Sequence, residues 1–180
     1  RLSQVPIDFS LDGTARLSEQ LRQSLRAAVS PDPAGRSLIV AGSQPFAEMK
    51  IALIGVGQAG GKVADAILEY EAASRANFVT DAVAINSATA DLLGLSQIPV
   101  DNRVLIGQSR VKGHGCGADN ELGVTVAQED IDEIRGAVND LPIHEVDAFF
   151  VVAGLGGGTG SGAAPVIARE LSRLYTEPTH

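Results

Sequence analysis

The sequence predicts an α/β fold, a parallel sheet flanked by helices, and three observations predict it. From residue 49 onward, short apolar runs alternate with longer stretches compatible with helix. Two of these runs empty directly into glycine-rich segments that precede a helix. The 20 glycines of the 180-residue chain concentrate at such strand ends, as sharp turns require, and a hydrophobic content of 44% is enough to fill one core.

The elements follow in chain order. Residues 15–29 predict a helix, with Leu17, Leu21, Leu25 and Val29 on one face and Pro31-Asp32-Pro33-Ala34-Gly35 ending it. Residues 37–41 are a candidate strand without an evident partner. A strand at 50–54 leads through a glycine loop into a helix over about 59–73, and residues 82–86 form a second strand. The third strand, 103–106, precedes a glycine-rich loop and a helix over 120–139. The fourth, 147–153, feeds the segment Gly154-Leu155-Gly156-Gly157-Gly158-Thr159-Gly160-Ser161-Gly162, and a helix runs from 163 to about 175. In such a sheet the ligand site lies at the carboxyl ends of the strands.

Charge divides the chain. The net charge of −8 resides entirely in residues 49–180, whereas residues 1–48 are balanced. Lysine occurs only at positions 50, 62 and 112; surplus carboxylate with scarce lysine suits concentrated salt, although a mildly acidic mesophilic protein would look similar. Either way a nucleic-acid partner is disfavoured. Cys116 is the only cysteine, which excludes a disulfide framework and a CxxC metal pattern. No apolar run approaches a membrane span and no signal peptide is visible, so a cytoplasmic location is expected.

The 154–162 segment carries the most chemistry. Glycines admit positive φ and bring successive N–H groups close to an anion, while the dipole of the following helix points at the same place. An upstream loop, Gly55-Val56-Gly57-Gln58-Ala59-Gly60, satisfies GxGxxG between strand and helix, the Rossmann-like arrangement for a dinucleotide. That reading, a nicotinamide-type oxidoreductase, requires an acid at the end of the next strand for the ribose. The strand ends instead in Ile85-Asn86-Ser87-Ala88, and the reading leaves the second glycine loop without a purpose. A nucleoside triphosphate gripped from several sides accounts for both loops. A P-loop is excluded, because Gly-x-x-x-x-Gly-Lys-Ser/Thr is absent.

Gly-Gly-Gly-Thr-Gly-Ser-Gly resembles the signature of the tubulin and FtsZ superfamily of filament-forming GTPases, matched without a gap from Ala153 to Gly162. Residues 49–62, together with 103–108 and 112–115, are most similar to its archaeal CetZ branch, and the resemblance extends from residue 49 to about 178. It implies the N-terminal GTP-binding domain of the tubulin/FtsZ fold, here truncated, over 49–180. Residues 1–48 are then an N-terminal extension of uncertain status, either a misassigned start or a fused segment, with Met49 at the boundary.

The same resemblance implies GTP or GDP as ligand, head-to-tail self-association into cytoskeletal filaments, and a role in cell shape. It places Gln58, Ala59, Gly60, Gly61 and Lys62 at the nucleotide, with Lys62 equally readable as a solvated helix lysine. Asn86 either faces the phosphates or merely ends its strand. Gly115 and Gly117 belong to a loop over the terminal phosphate, and Gly156, Gly157, Gly158, Thr159 and Gly160 to the signature loop. His114 reads as a loop hydrogen-bonder, and Cys116 as a small packed side chain.

One lysine cannot balance a triphosphate of about four negative charges, so Mg²⁺ with retained waters is expected. Asp119 is the candidate for an outer-shell contact to it or else a helix cap. Hydrolysis in that superfamily uses acidic residues on a loop of the next subunit, and no stretch of residues 1–180 matches that loop. Catalytic residues are therefore not expected in this chain, and turnover is expected of the full-length polymer only.

Overall fold

A computed structural model describes residues 49–75 and 77–175. The expected helix at 15–29, the strand at 37–41 and the status of residues 1–48 lie outside the described residues.

Four strands form one all-parallel sheet: β1 (Ile51–Val56), β2 (Val79–Asn86), β3 (Arg103–Leu105) and β4 (Ala148–Ala153), in the order β3-β2-β1-β4. The helices between them are α1 (Gly57–Ser74), α2 (Thr89–Leu93), α3 (Gln108–Val111), α4 (Asn120–Glu129) and α5 (Ile131–Asn139), and α6 (Gly158–Tyr175) follows β4. The chain winds outward from β1 to β3 and then returns to the other side of β1 to lay down β4. This reversal leaves a crevice between the carboxyl ends of β1 and β4.

Side chains of β1 alternate between two cores, as the two-residue period of a strand dictates. Ile51 and Leu53 join Ala64, Leu92, Leu95 and Ile98 on the α1 and α2 side. Ala52, Ile54 and Val56 join Val126, Ile134, Val138, Ile167 and Leu171 beneath α4, α5 and α6. Burial on both faces explains why β1 is apolar at every position and not alternating.

Three local differences from the sequence reading have physical causes. The helix expected over 120–139 is two helices, broken at Asp130, whose carboxylate accepts from the Gly107 amide at 2.6 Å and whose backbone (φ −101, ψ 23) leaves the helical region. The strands β1 and β2 are longer than read, because Gly55 and Val56 continue the β1 ladder opposite Ala84 and Ile85. The last helix starts at Gly158 and not at residue 163, so half of the glycine segment is its first turn.

Two polar ties hold the periphery. The Asp65 carboxylate on α1 accepts from the amides of Ser96, Gln97 and Ile98 and from the Ser96 hydroxyl, fixing the loop after α2. Burial pushes its pKa up, but these donors together hold it below the usual value. Between α5 and α6, Arg135 donates to Glu170 at 2.6 Å, and Arg173 donates to the same carboxylate at 2.7 Å.

Candidate functional site

The crevice is a cleft of about 500 Å³ walled by the loops after β1, β2 and β4 and by residues 114–117. Of the residues expected at a nucleotide, Gln58, Ala59, Asn86, Gly115, Gly117, Gly156, Gly157, Gly158, Thr159 and Gly160 line it. Two helix N-termini open into this space. Neither Val56 nor any other side chain caps α1 through the N-cap position, and among the described residues the N–H groups of Gly156, Gly157, Thr159 and Gly160 have no protein acceptor. Unsatisfied amides at converging helix starts make a ready anion site.

Not every expected donor is available. The Gly115 amide is spent on Ser87 O at 3.0 Å and the Gly158 amide on Gly117 O at 2.7 Å, so these two glycines bind the loops to each other. Asn86 is partly committed: its Oδ1 accepts from the Ser87 and Ala88 amides and one Nδ2 hydrogen goes to Asp91, while the second Nδ2 hydrogen has no acceptor among the described residues. It builds the turn after β2.

Four expected residues lie away from the cleft wall. Gly60 is buried in α1, where a Cβ would come within 3.0 Å of Val152 O, so it is a glycine of helix-on-strand packing. Gly61 is buried beside Leu95. Lys62 is exposed along a separate apolar groove that also includes Val63 and Tyr70. The Asp119 Oδ1 accepts from the Leu122 amide at 3.0 Å; it caps α4 and does not line the cleft.

The structure also brings in residues that the sequence reading passed over. Asp91, on α2, is the one carboxylate in the cleft wall among the described residues; it accepts from Gln58 Nε2 at 3.0 Å and Asn86 Nδ2 at 3.2 Å. A short helix of five residues without periodicity gave no signal for it. Ser87 is fully buried and links Thr159 to Cys116 beneath the cleft. Gly123, on α4, packs against Gly158, and that close approach was legible only once α4 and α6 were placed side by side.

Among the described residues no lysine or arginine lines the cleft, and no three His, Cys, Asp or Glu side chains cluster as a metal cage. Asp91 is the carboxylate of the cleft wall that could face a hydrated divalent cation. Among the described residues no helix is long and apolar enough to cross a membrane.

A family model described as "Tubulin/FtsZ family, GTPase domain" matches residues 50–180. Over 132 residues the chain is 67% identical to the tubulin-like protein CetZ1 of Haloferax volcanii, which covers 73% of this chain and 33% of that protein. The solved GDP-bound monomer of that CetZ1 superposes with a TM-score of 0.70 at 68% identity, over 72% of this chain and 39% of the other. The CetZ2 of the same organism, solved as a GTPγS-bound protofilament, gives 0.67 at 50% identity, over 72% of this chain and 38% of the other. The chain thus spans about a third of the length of the curated relatives it matches. With two amide-bearing helix starts meeting at the β1/β4 crevice and this match across the whole described sheet, the chain belongs to the tubulin/FtsZ family, through its GTPase domain and in CetZ-like form.

Proposed function

We propose that residues 49–180 are the nucleotide-binding part of a filament-forming GTPase, with residues 1–48 an extension that the domain does not need. The observation that carries this reading is the convergence of the open amides of α1 and α6 on one cleft. A dinucleotide oxidoreductase would leave the second of those helix starts unused. Guanine as the base is supported by the GDP and GTPγS in the CetZ1 and CetZ2 structures.

The amides of Gly156, Gly157, Thr159 and Gly160 bind phosphate oxygens, the start of α1 binds the opposite side, and a Mg²⁺ near Asp91 would supply the positive charge that the cleft wall lacks among the described residues. Each charge-assisted hydrogen bond is worth about 1.5–3 kcal/mol, so four or five suffice to order the polyphosphate. Head-to-tail assembly is supported by the protofilament form of CetZ2. Hydrolysis then depends on a neighbouring subunit that brings acidic residues to the terminal phosphate, and the setting is cytoplasmic, with cell shape as the role.

The test is to titrate GTP, ATP and NAD separately into the full-length protein, with and without Mg²⁺, and to follow phosphate release beside sedimentation. Tight GTP binding with polymer-dependent phosphate release is the expected result; NAD binding without GTP binding would overturn the reading.

A further inference from the structure

At the floor of the cleft lie three small side chains that the phosphate-binding reading does not use together. The Ser87 hydroxyl, wholly buried at the end of β2, sits 2.7 Å from Thr159 Oγ1 and 3.3 Å from Cys116 Sγ. Thr159, the first-turn threonine of α6, and Cys116, buried in the facing loop, both line the cleft, and Ser87 lies behind them. Among the described residues neither Thr159 Oγ1 nor Cys116 Sγ has another hydrogen-bond partner.

Each group carries one hydrogen, and the wholly buried Ser87 hydroxyl must donate its own to one of its two neighbours, so it accepts from the other and the chain has two directions. In one, the Cys116 thiol donates to Ser87, Ser87 donates to Thr159, and the Thr159 hydroxyl hydrogen is released into the cleft. In the other, Thr159 donates to Ser87 and Ser87 to the sulfur, so that Thr159 offers the cleft only lone pairs. A phosphate oxygen accepts and does not donate. It is compatible with the first direction and opposed by the second.

We infer that Ser87 is a positioning residue for the phosphate end of the ligand: it passes the direction of the Thr159 hydroxyl to Cys116, so nucleotide binding turns the buried thiol into a hydrogen-bond donor. This rests on the nucleotide-binding reading above. The coupling spans β2, the 113–117 loop and α6, which are also fastened by the Gly115 amide on Ser87 O and the Gly158 amide on Gly117 O. The three partners therefore keep their spacing while the hydrogens reverse.

Cys116 is the single cysteine of these 180 residues, and the infrared difference between the wild type and Cys116→Ser isolates its S–H stretching band. GDP binding to the full-length protein should shift the band to lower frequency and intensify it; Cys116→Ser removes the band and so assigns it. Ser87→Ala should abolish the shift and weaken GDP binding roughly three- to tenfold, the scale of one net hydrogen bond. Ser87→Thr keeps a hydroxyl at the same position and should restore both. Calorimetry with GDP runs in parallel. GDP binding by the wild type with an unmoved band overturns the relay and leaves the nucleotide reading intact, whereas no GDP binding by the folded wild type overturns both. A Ser87→Ala protein that binds GDP at wild-type affinity and still shows the shift overturns the role of Ser87.

Discussion

Gly123 on α4 faces the carbonyl oxygen of Gly158 at the start of α6, and a Cβ built on Gly123 would approach that oxygen within 3.0 Å. Gly162 stands in the same relation to Asn120 O one turn further on. Two helices can lie this close only where neither carries a side chain at the point of contact. The later glycines of the signature thus serve helix packing, which in turn fixes the amides that open into the cleft.

Gly123→Ala and Gly162→Ala should each destabilise the full-length protein by about 1–3 kcal/mol, since backbone must move to admit the methyl group. Gly157→Ala, with open space around its Cβ position, should change stability by under about 0.5 kcal/mol. Urea unfolding of the three variants measures this. Equal losses at all three positions would show that the glycines are not divided between packing and binding.

Gly157→Val separates binding from folding. Its backbone is not among the glycines with positive φ, and nothing in the protein lies within 4 Å of its Cβ position. A branched side chain there strains nothing and occupies only the space of a ligand. Nucleotide affinity should fall more than tenfold, with the urea midpoint nearly unchanged; Thr159→Ala, which keeps its amide, should lose less. Fluorescent GDP titration beside unfolding reads both.

The sheet was legible because its signals are local and strong: continuous apolar runs at 51–54 and 148–153, each followed by glycines. The start of α6 was not. Glycines at 158, 160 and 162 have poor helix propensity, so the sequence reading starts the helix at Ala163, just after the last of them. Packing against α4 overrides that propensity and leaves Pro165 inside the helix. The phosphate loops were read from glycine spacing alone, which cannot tell a glycine that exposes an amide from one that admits a neighbour. Gly60 and Gly158 differ from Gly157 only through contacts made by distant elements. Asp91 escaped notice for a related reason: it reaches the cleft by way of Gln58 and Asn86, 33 and 5 residues away in sequence.

Among the described residues the cleft wall holds Asp91 and neither lysine nor arginine, which gives a metal prediction. With Asp91 present and no cation to offset the polyphosphate, chelation with EDTA should weaken GTP binding by more than tenfold and GDP binding by less, because GTP carries the greater charge. Raising monovalent salt to about 1 M, where the screening length is about 3 Å, should recover part of the loss. Affinities for GTP and GDP measured with and without chelator check this; identical values would mean that the amides alone balance the ligand.

Acid should act on the fold through Glu170. The Arg173 and Arg135 guanidiniums that donate to its carboxylate hold its pKa down at about 2, against an ordinary 4.5. A carboxylate with a depressed folded-state pKa stabilises the fold above its unfolded-state value and loses that contribution as pH falls through the folded one. The window therefore runs from about pH 4.5 down to about pH 2. Glu170→Gln should be less stable than the wild type near neutral pH, and the two stabilities should converge across this window as the wild-type carboxylate takes up its proton. High salt should narrow the gap at neutral pH, since Arg173 is half exposed at 52% and its share of the interaction is open to screening. Urea unfolding of both proteins as a function of pH measures the gap. A difference that stayed constant down to pH 2 would mean that the α5–α6 tie depends on the shape of the side chain and not on its charge.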